Sequence, residues 1–344
     1  MILLSRYGLT FGLVAAFALA HLWPELGQRL DQFGASTIAI IGIFLLSGLS
    51  TDLRMATRAL ASWRCHLLIQ AHIFLIIPTL VFVTAFWMPD GPLKLGVYLV
   101  AALPTTISSC VALTSAARGN SLCAIVNSVG SNVIGVALTP LLAGILFGQS
   151  HFAGTSAIAS TVRDMALLAL IPFAIGELLS LQWPAVREYG AKAERPLSLG
   201  LILLLILCAF SKSLDKLFEQ FQLLWPCLIY LTVMHGVFMT SAVLTGKWLL
   251  RTREDRTAMF FCATQKTMAF GLPVAYAFFA DSPVPIAVVV LPLVFYYLLQ
   301  MVSGSILVHW MNHQTHAMRW HASSGGSRAG LPLTLESQTT CRQE

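Results

Sequence analysis

The sequence predicts an all-α membrane protein of ten transmembrane helices, arranged as two inverted repeats of five, and three observations carry that prediction. The 344 residues are 57% hydrophobic and only 10% charged, whereas a soluble domain is roughly a quarter charged, so a water-facing surface of ordinary size cannot be covered. Long apolar segments recur to about residue 310 with no polar linker between them, which argues for one membrane domain with a polar tail at 311–344. Lys and Arg crowd the connections on one side, as cytoplasmic connections do.

A span needs roughly 20 apolar residues, and the segments that meet this lie at about 7–24, 34–50, 65–87, 93–117, 121–148, 163–183, 197–214, 223–249, 257–280 and 284–310. The first follows Arg6 as a signal peptide would, but no small-x-small cleavage site precedes Trp23-Pro24, so it is expected to stay. With these spans, fifteen basic residues fall on one side, among them Arg54, Arg58, Arg64, Arg118, Arg187, Lys247, Arg251 and Arg256. Five fall opposite, namely Arg29, Lys94, Arg163, Lys212 and Lys216, and Lys266 lies inside the ninth span. Both termini are therefore expected in the cytoplasm, with the chain multi-pass in the plasma (inner) membrane. Five spans precede the connection at about 149–162 and five follow it; an odd number per half inverts the second half, a transporter layout. Thr51 to Arg64 reads as an amphipathic helix on the interface, with a plain polar loop as the alternative. His313, His316 and His321 lead into Ser, Gly and Thr, a solvated, disordered tail more than a metal-binding cluster.

Composition also excludes some functions. The net charge of +6 sits in short connections and not on one basic face, so nucleic acid is not an expected partner; the bilayer and a small-molecule solute are. Seven cysteines lack CxxC or Cys/His spacing and read as reduced packing residues, with no metal site. No GxSxG, Walker, HExxH or GxGxxG element stands in a suitable context, which disfavours an enzyme. A Ser109–His72 pair is the one catalytic couple that can be constructed.

The fourth span of each half carries a polar, helix-breaking stretch: Leu103-Pro104-Thr105-Thr106-Ile107-Ser108-Ser109 in the first, and Thr264-Gln265-Lys266-Thr267 to Gly271-Leu272-Pro273 in the second. An interruption frees backbone groups that cost several kcal/mol each in hydrocarbon, so it persists only where protein, water or ligand satisfies them. Half-helix ends also present partial charges that can hold an anion or a cation. Lys266, near mid-membrane, cannot face lipid and calls for a partner or a watery cavity. Glu177, the acidic residue well inside a span, is a candidate gate, proton carrier or partner for Lys266. Asn127, Ser128, Ser131 and Asn132 recur one turn apart on the fifth span and are candidates to face the first break.

The stretch from Leu103 to Ser109, then Ala117-Arg118-Gly119-Asn120 and Thr139-Pro140-Leu141-Leu142, resembles the bile acid:sodium symporter superfamily. Phe261-Cys262 through Gln265-Lys266-Thr267, Gly271-Leu272-Pro273 and Leu291-Pro292-Leu293 extend the likeness, nearest to the branch of solute carrier family ten member seven and its bacterial relatives. The resemblance implies a panel domain (7–24, 34–50, 163–183, 197–214) and a core domain (65–87, 93–117, 121–148, 223–249, 257–280, 284–310). In the core the broken fourth and ninth helices cross, and solute passes by alternating access. It further implies that Ser109, Ser128 and Gln265 match sodium ligands, with Gln70 resembling a third-helix ligand. Cys110, Ala124 and Phe261 replace an asparagine, a hydroxyl and the acidic residue, so sodium has lost its anionic ligand.

The expectation is a secondary transporter of a small organic, anionic solute, sodium-independent, with Lys266 standing in for a coupling cation and no cofactor. Its binding residues are Thr105, Thr106, Ser108, Ser109, Asn127, Ser128, Ser131, Asn132, Thr264, Gln265, Lys266 and Thr267, with Glu177 and Gln70 as gate or coupling groups. A non-transporting membrane regulator of ion (calcium) homeostasis is the alternative.

Overall fold

The computed structural model describes residues 2–51, 63–148, 155–219, 221–279 and 282–324, and every regular element among them is helical. The first half holds α1 (Ile2–Leu22), α2 (Pro24–Gln32), α3 (Ala35–Ser50), α4 (Trp63–Trp87), α5 (Pro92–Ala102), α6 (Ser108–Ala116) and α7 (Ser121–Gly148). The second holds α8 (Thr155–Gln182), α9 (Pro184–Glu219), α10 (Phe221–Leu249), α11 (Arg253–Thr264), α12 (Met268–Phe279) and α13 (Ile286–Ser324).

Six of these contain stretches long and apolar enough to cross a membrane, at 63–87, 121–148, 162–182, 196–213, 222–249 and 286–312, and α2 with α3, bent by 71°, makes a seventh if taken as one span. Residues 11–22 and 92–102 form shorter apolar helices. In two of the spans expected from the sequence, 93–117 and 257–280, an interruption divides the segment into a pair, α5 with α6 and α11 with α12. Six tryptophans, Trp23, Trp63, Trp87, Trp183, Trp225 and Trp248, are exposed close to helix ends, and a seventh, Trp310, is exposed near the end of the apolar stretch 286–312; the amphipathic indole sits at membrane–water interfaces. Mid-helix Leu75, Ile229 and Val302 are exposed as well. The surface is thus that of a multi-pass membrane protein.

Boundaries differ from the sequence expectation in four places. The segment 184–196, expected as a connection, is helical: Pro184 opens α9 at a position where a missing N–H costs nothing, and the helix runs on to a kink at Ser213 (φ −140, ψ 20). Residues 24–32, also expected as a connection, form α2 behind Pro24, and Gly34 (φ 80) turns the chain into α3. The last helix passes residue 310 and reaches Ser324, because no Gly or Pro interrupts 305–324 and backbone hydrogen bonding does not need apolar side chains; helix replaces the disordered chain expected for 311–324. The second break is confined to 265–267, and Gly271-Leu272-Pro273 lies inside α12. The expected interfacial helix at 52–62 and the tail from 325 lie outside the described residues.

Two groups of helices pack internally. In one, α3 lies against α8 and α9, and α9 against α1 and α2; in the other, α5 lies against α7 and α13, and α11 against α6, α7 and α10. Small residues set the closest approach in the first group: a methyl group on Gly48 would strike the Phe173 carbonyl and one on Gly176 the Leu45 carbonyl. Backbones in membranes approach this closely at glycine.

Candidate functional site

Pro104 sets the first interruption. A residue before proline avoids the helical region, and Leu103 is extended (φ −74, ψ 147), ending α5 at Ala102. The carbonyls of residues 101 to 105 then have no helical donors, and each finds one elsewhere. Ala101 and Leu103 accept from the Lys266 ammonium at 3.2 and 2.7 Å. Ala102 accepts from the Thr139 hydroxyl at 2.9 Å, Pro104 from the Thr267 amide at 3.1 Å, and Thr105 from the Asn132 side chain at 2.9 Å.

A proline on another helix supplies the third acceptor for Lys266. In α4, the Ile77 amide bonds to the His72 carbonyl, one residue further back than in an α-helix, and residues 72–76 are π-helical. Pro78 has no N–H to offer the next carbonyl, so Ile73 O is left over, and it accepts from Lys266 Nζ at 3.3 Å. Lys266 is fully buried, and its three N–H donors meet three backbone carbonyls, two of them at the negative end of α5.

The second interruption contains no proline. Gln300 on α13 holds both sides of the Lys266 peptide, accepting from its N–H at 2.6 Å and donating to its carbonyl at 2.9 Å. The Tyr296 hydroxyl donates to the Thr264 carbonyl at 2.9 Å and pairs with His235 at 3.1 Å. With Thr267 N–H on Pro104 O, the two breaks touch backbone to backbone at a crossing.

The expected site residues divide. Thr105, Asn132, Lys266 and Thr267 meet at the crossing, while Ser109 reaches the Gln265 side chain at 3.5 Å and pairs with Thr106, whose oxygen accepts from the Cys110 amide at 3.2 Å. The Thr105 hydroxyl is buried without a partner among the described residues. Ser128, Ser131 and Thr264 are buried, but their hydroxyls bond carbonyls of their own helices at 2.7, 3.0 and 2.8 Å. Ser108 is exposed and does not join them. Gln70 donates to the Asn127 carbonyl at 3.0 Å. Glu177 is buried on α8 where that helix meets Gly48 of α3, and the Lys266 donors go to carbonyls instead. His72 pairs with Ser241 at 3.0 Å, and no hydrogen bond joins it to Ser109 among the described residues. Gln300, Tyr296, Thr139 and the Ile73 carbonyl were missed by sequence reasoning; Pro78 and a glutamine in an apolar helix were the signals available.

Phe261 is fully buried against Phe260, and Cys110 faces Cys262 at 3.1 Å. The donor set around the break is therefore neutral apart from Lys266.

Comparison with known proteins agrees with this architecture. The SBF-like CPA transporter family matches residues 8–313, and the chain belongs to that family. Among its relatives are the uncharacterized protein PA2026 of Pseudomonas aeruginosa, 32% identical over 87% of this chain and 90% of its own, and YfeH of Escherichia coli, provisionally named a symporter, 27% identical over 93% and 97%. Sodium/bile acid cotransporter 7 of Xenopus tropicalis is 26% identical over 90% and 93%. The resemblance read from Leu103 to Ser109 and from Phe261 to Pro273 is thus correct. Family membership makes the chain a transporter and not an enzyme, and it favours transport over a non-transporting regulator.

Proposed function

We propose that this chain is a secondary transporter of a small organic anion, in which the Lys266 ammonium occupies the position of a coupling cation and transport is sodium-independent. One observation carries the reading: a buried ammonium saturates three backbone carbonyls, two of them at the end of an interrupted helix. Carbonyl oxygens at such ends are how broken-helix transporters coordinate a coupling cation. The absence of a carboxylate at Phe261 points the same way, since a neutral cage around a resident positive charge has little left with which to attract sodium.

In this reading the chain forms ten spans in two inverted halves, with α5–α6 and α11–α12 as the matching broken spans. The group of α1, α2, α3, α8 and α9 is the panel, and the remaining helices are the core. Solute would bind between them beside the crossing, where the unpartnered Thr105 hydroxyl and the Ser109–Gln265 pair lie, and panel and core would move past one another. Both termini would be cytoplasmic in the inner membrane. Two contacts support the sidedness. The Asn120 amide bonds to the Glu254 carbonyl at 3.0 Å, joining two connections assigned to the cytoplasm, and Lys212 pairs with Asp31, both assigned outside.

A thermal-shift screen of the purified protein against small organic anions should reveal the solute, because a ligand of the folded state raises its apparent stability. Its uptake into proteoliposomes is expected to be unchanged in sodium-free buffer and to fall about tenfold or more in Lys266→Ala. Full sodium dependence in the wild type would end the proposal.

A further inference from the structure

Cysteines that are scattered in sequence converge in space. Cys65 at the start of α4 and Cys123 at the start of α7 lie with their sulfurs 3.1 Å apart, both buried. Asp255, in the first turn of α11, completes a group in which the ligand atoms all lie within 4.8 Å of one another.

We propose that Cys65, Cys123 and Asp255 form a binding site for a thiophilic divalent cation of the zinc class. Two sulfurs and a carboxylate are a donor set that suits zinc or cadmium and neither sodium nor calcium. Two thiolates on a tetrahedral zinc stand about 3.7 Å apart, given Zn–S bonds of about 2.3 Å, so a small rotation of each side chain from the present 3.1 Å admits the ion. Flanking groups hold the ligands in place. The Asn120 side chain donates to Asp255 Oδ1 at 2.8 Å and accepts from the Cys123 amide at 2.9 Å, tying two ligands through one residue. Asn127 Nδ2 points at Cys123 Sγ at 3.4 Å. Such contacts to coordinating atoms are what orient ligands in metal sites.

On binding, each thiol releases its proton to water as its metal–sulfur bond forms, and the cation balances two thiolates and a carboxylate. Asp255 is partly exposed, so the ion has an entry route, and water fills the fourth position. The site fastens the starts of α4, α7 and α11 together, some turns from the crossing. It does not depend on the transport reading, since it involves neither Lys266 nor the solute.

The test uses the full-length protein purified under reducing conditions, loaded with zinc or cadmium and desalted. Bound metal is counted by mass spectrometry, and cadmium–thiolate bonding is read from its ultraviolet charge-transfer band. The expected result is one ion per chain, lost in Cys65→Ser and Cys123→Ser, weakened about tenfold or more in Asp255→Asn, and retained in Cys208→Ser, a buried cysteine of α9. Wild-type protein that holds no stoichiometric metal, or serine variants that hold as much as the wild type, would overturn the proposal. If a serine variant fails to give monodisperse protein, alkylation of the wild type decides: zinc should shield Cys65 and Cys123 from a small maleimide, and equal labelling with and without zinc counts against the site.

Discussion

An ammonium group carries three donors, and a buried one is tolerable only when all three are used. Lys266 meets that condition with Ile73, Ala101 and Leu103, which is why a lysine can sit fully buried in the middle of an apolar protein. Gln300 does for the backbone what Lys266 does for the carbonyls opposite: its amide takes the place of the helical neighbours that residue 266 lacks. Replacing it by leucine leaves a buried N–H and a buried C=O without partners, at about 1–3 kcal/mol each. Gln300→Leu is therefore expected to lose about 2–6 kcal/mol of stability, measurable as a lowered melting temperature in detergent. A melting curve identical to that of the wild type would mean that the 265–267 segment is held by something else.

At the scale of elements, prolines and glycines decide where helices stop and how closely they pass. Pro104 ends α5, and Pro78 releases the Ile73 carbonyl from α4, so two prolines, one in the first interruption and one in α4, create acceptors for one lysine. Both prolines stand in the sequence, but their joint effect does not, because it depends on α4, α5 and α11 meeting at one point. Gly48 and Gly176 let α3 and α8 touch along their backbones. Gly176→Leu is expected to cost about 1–3 kcal/mol or more, as overpacking does, and to reduce the yield of folded protein. Gly200→Leu, at an exposed position where an added Cβ would meet nothing within 4 Å, serves as the control and should fold as the wild type does; equal behaviour of the two variants would count against the close α3–α8 crossing.

Across the whole molecule, sidedness ties the charge pattern to the fold. The connection at 282–285 is assigned outside and that at 250–252 to the cytoplasm, on the strength of the basic residues Lys247, Arg251, Arg253 and Arg256. In a Cys341→Ser background, Ser282→Cys is expected to react with an impermeant maleimide on intact cells, and Arg251→Cys only after permeabilisation. The reverse pattern would invert the proposed orientation, and with it the side on which the Cys65–Cys123–Asp255 group opens.

Composition, the recurrence of apolar segments and the clustering of basic residues were enough to determine a multi-pass helical membrane protein with two interruptions and a lysine in one of them, because each of these is a local property of the chain in a bilayer. The family likeness was legible for the same reason, in contiguous motifs. Tertiary structure alone decided which groups answer one another. The carbonyls around Lys266, the Gln300 clasp and the meeting of Cys65, Cys123 and Asp255 join residues from distant parts of the chain, and the outward position of Ser108 likewise follows from what packs around it. No spacing along a chain records such a meeting; it follows from packing that buries freed backbone groups and polar side chains together, where leaving one unpaired is costly.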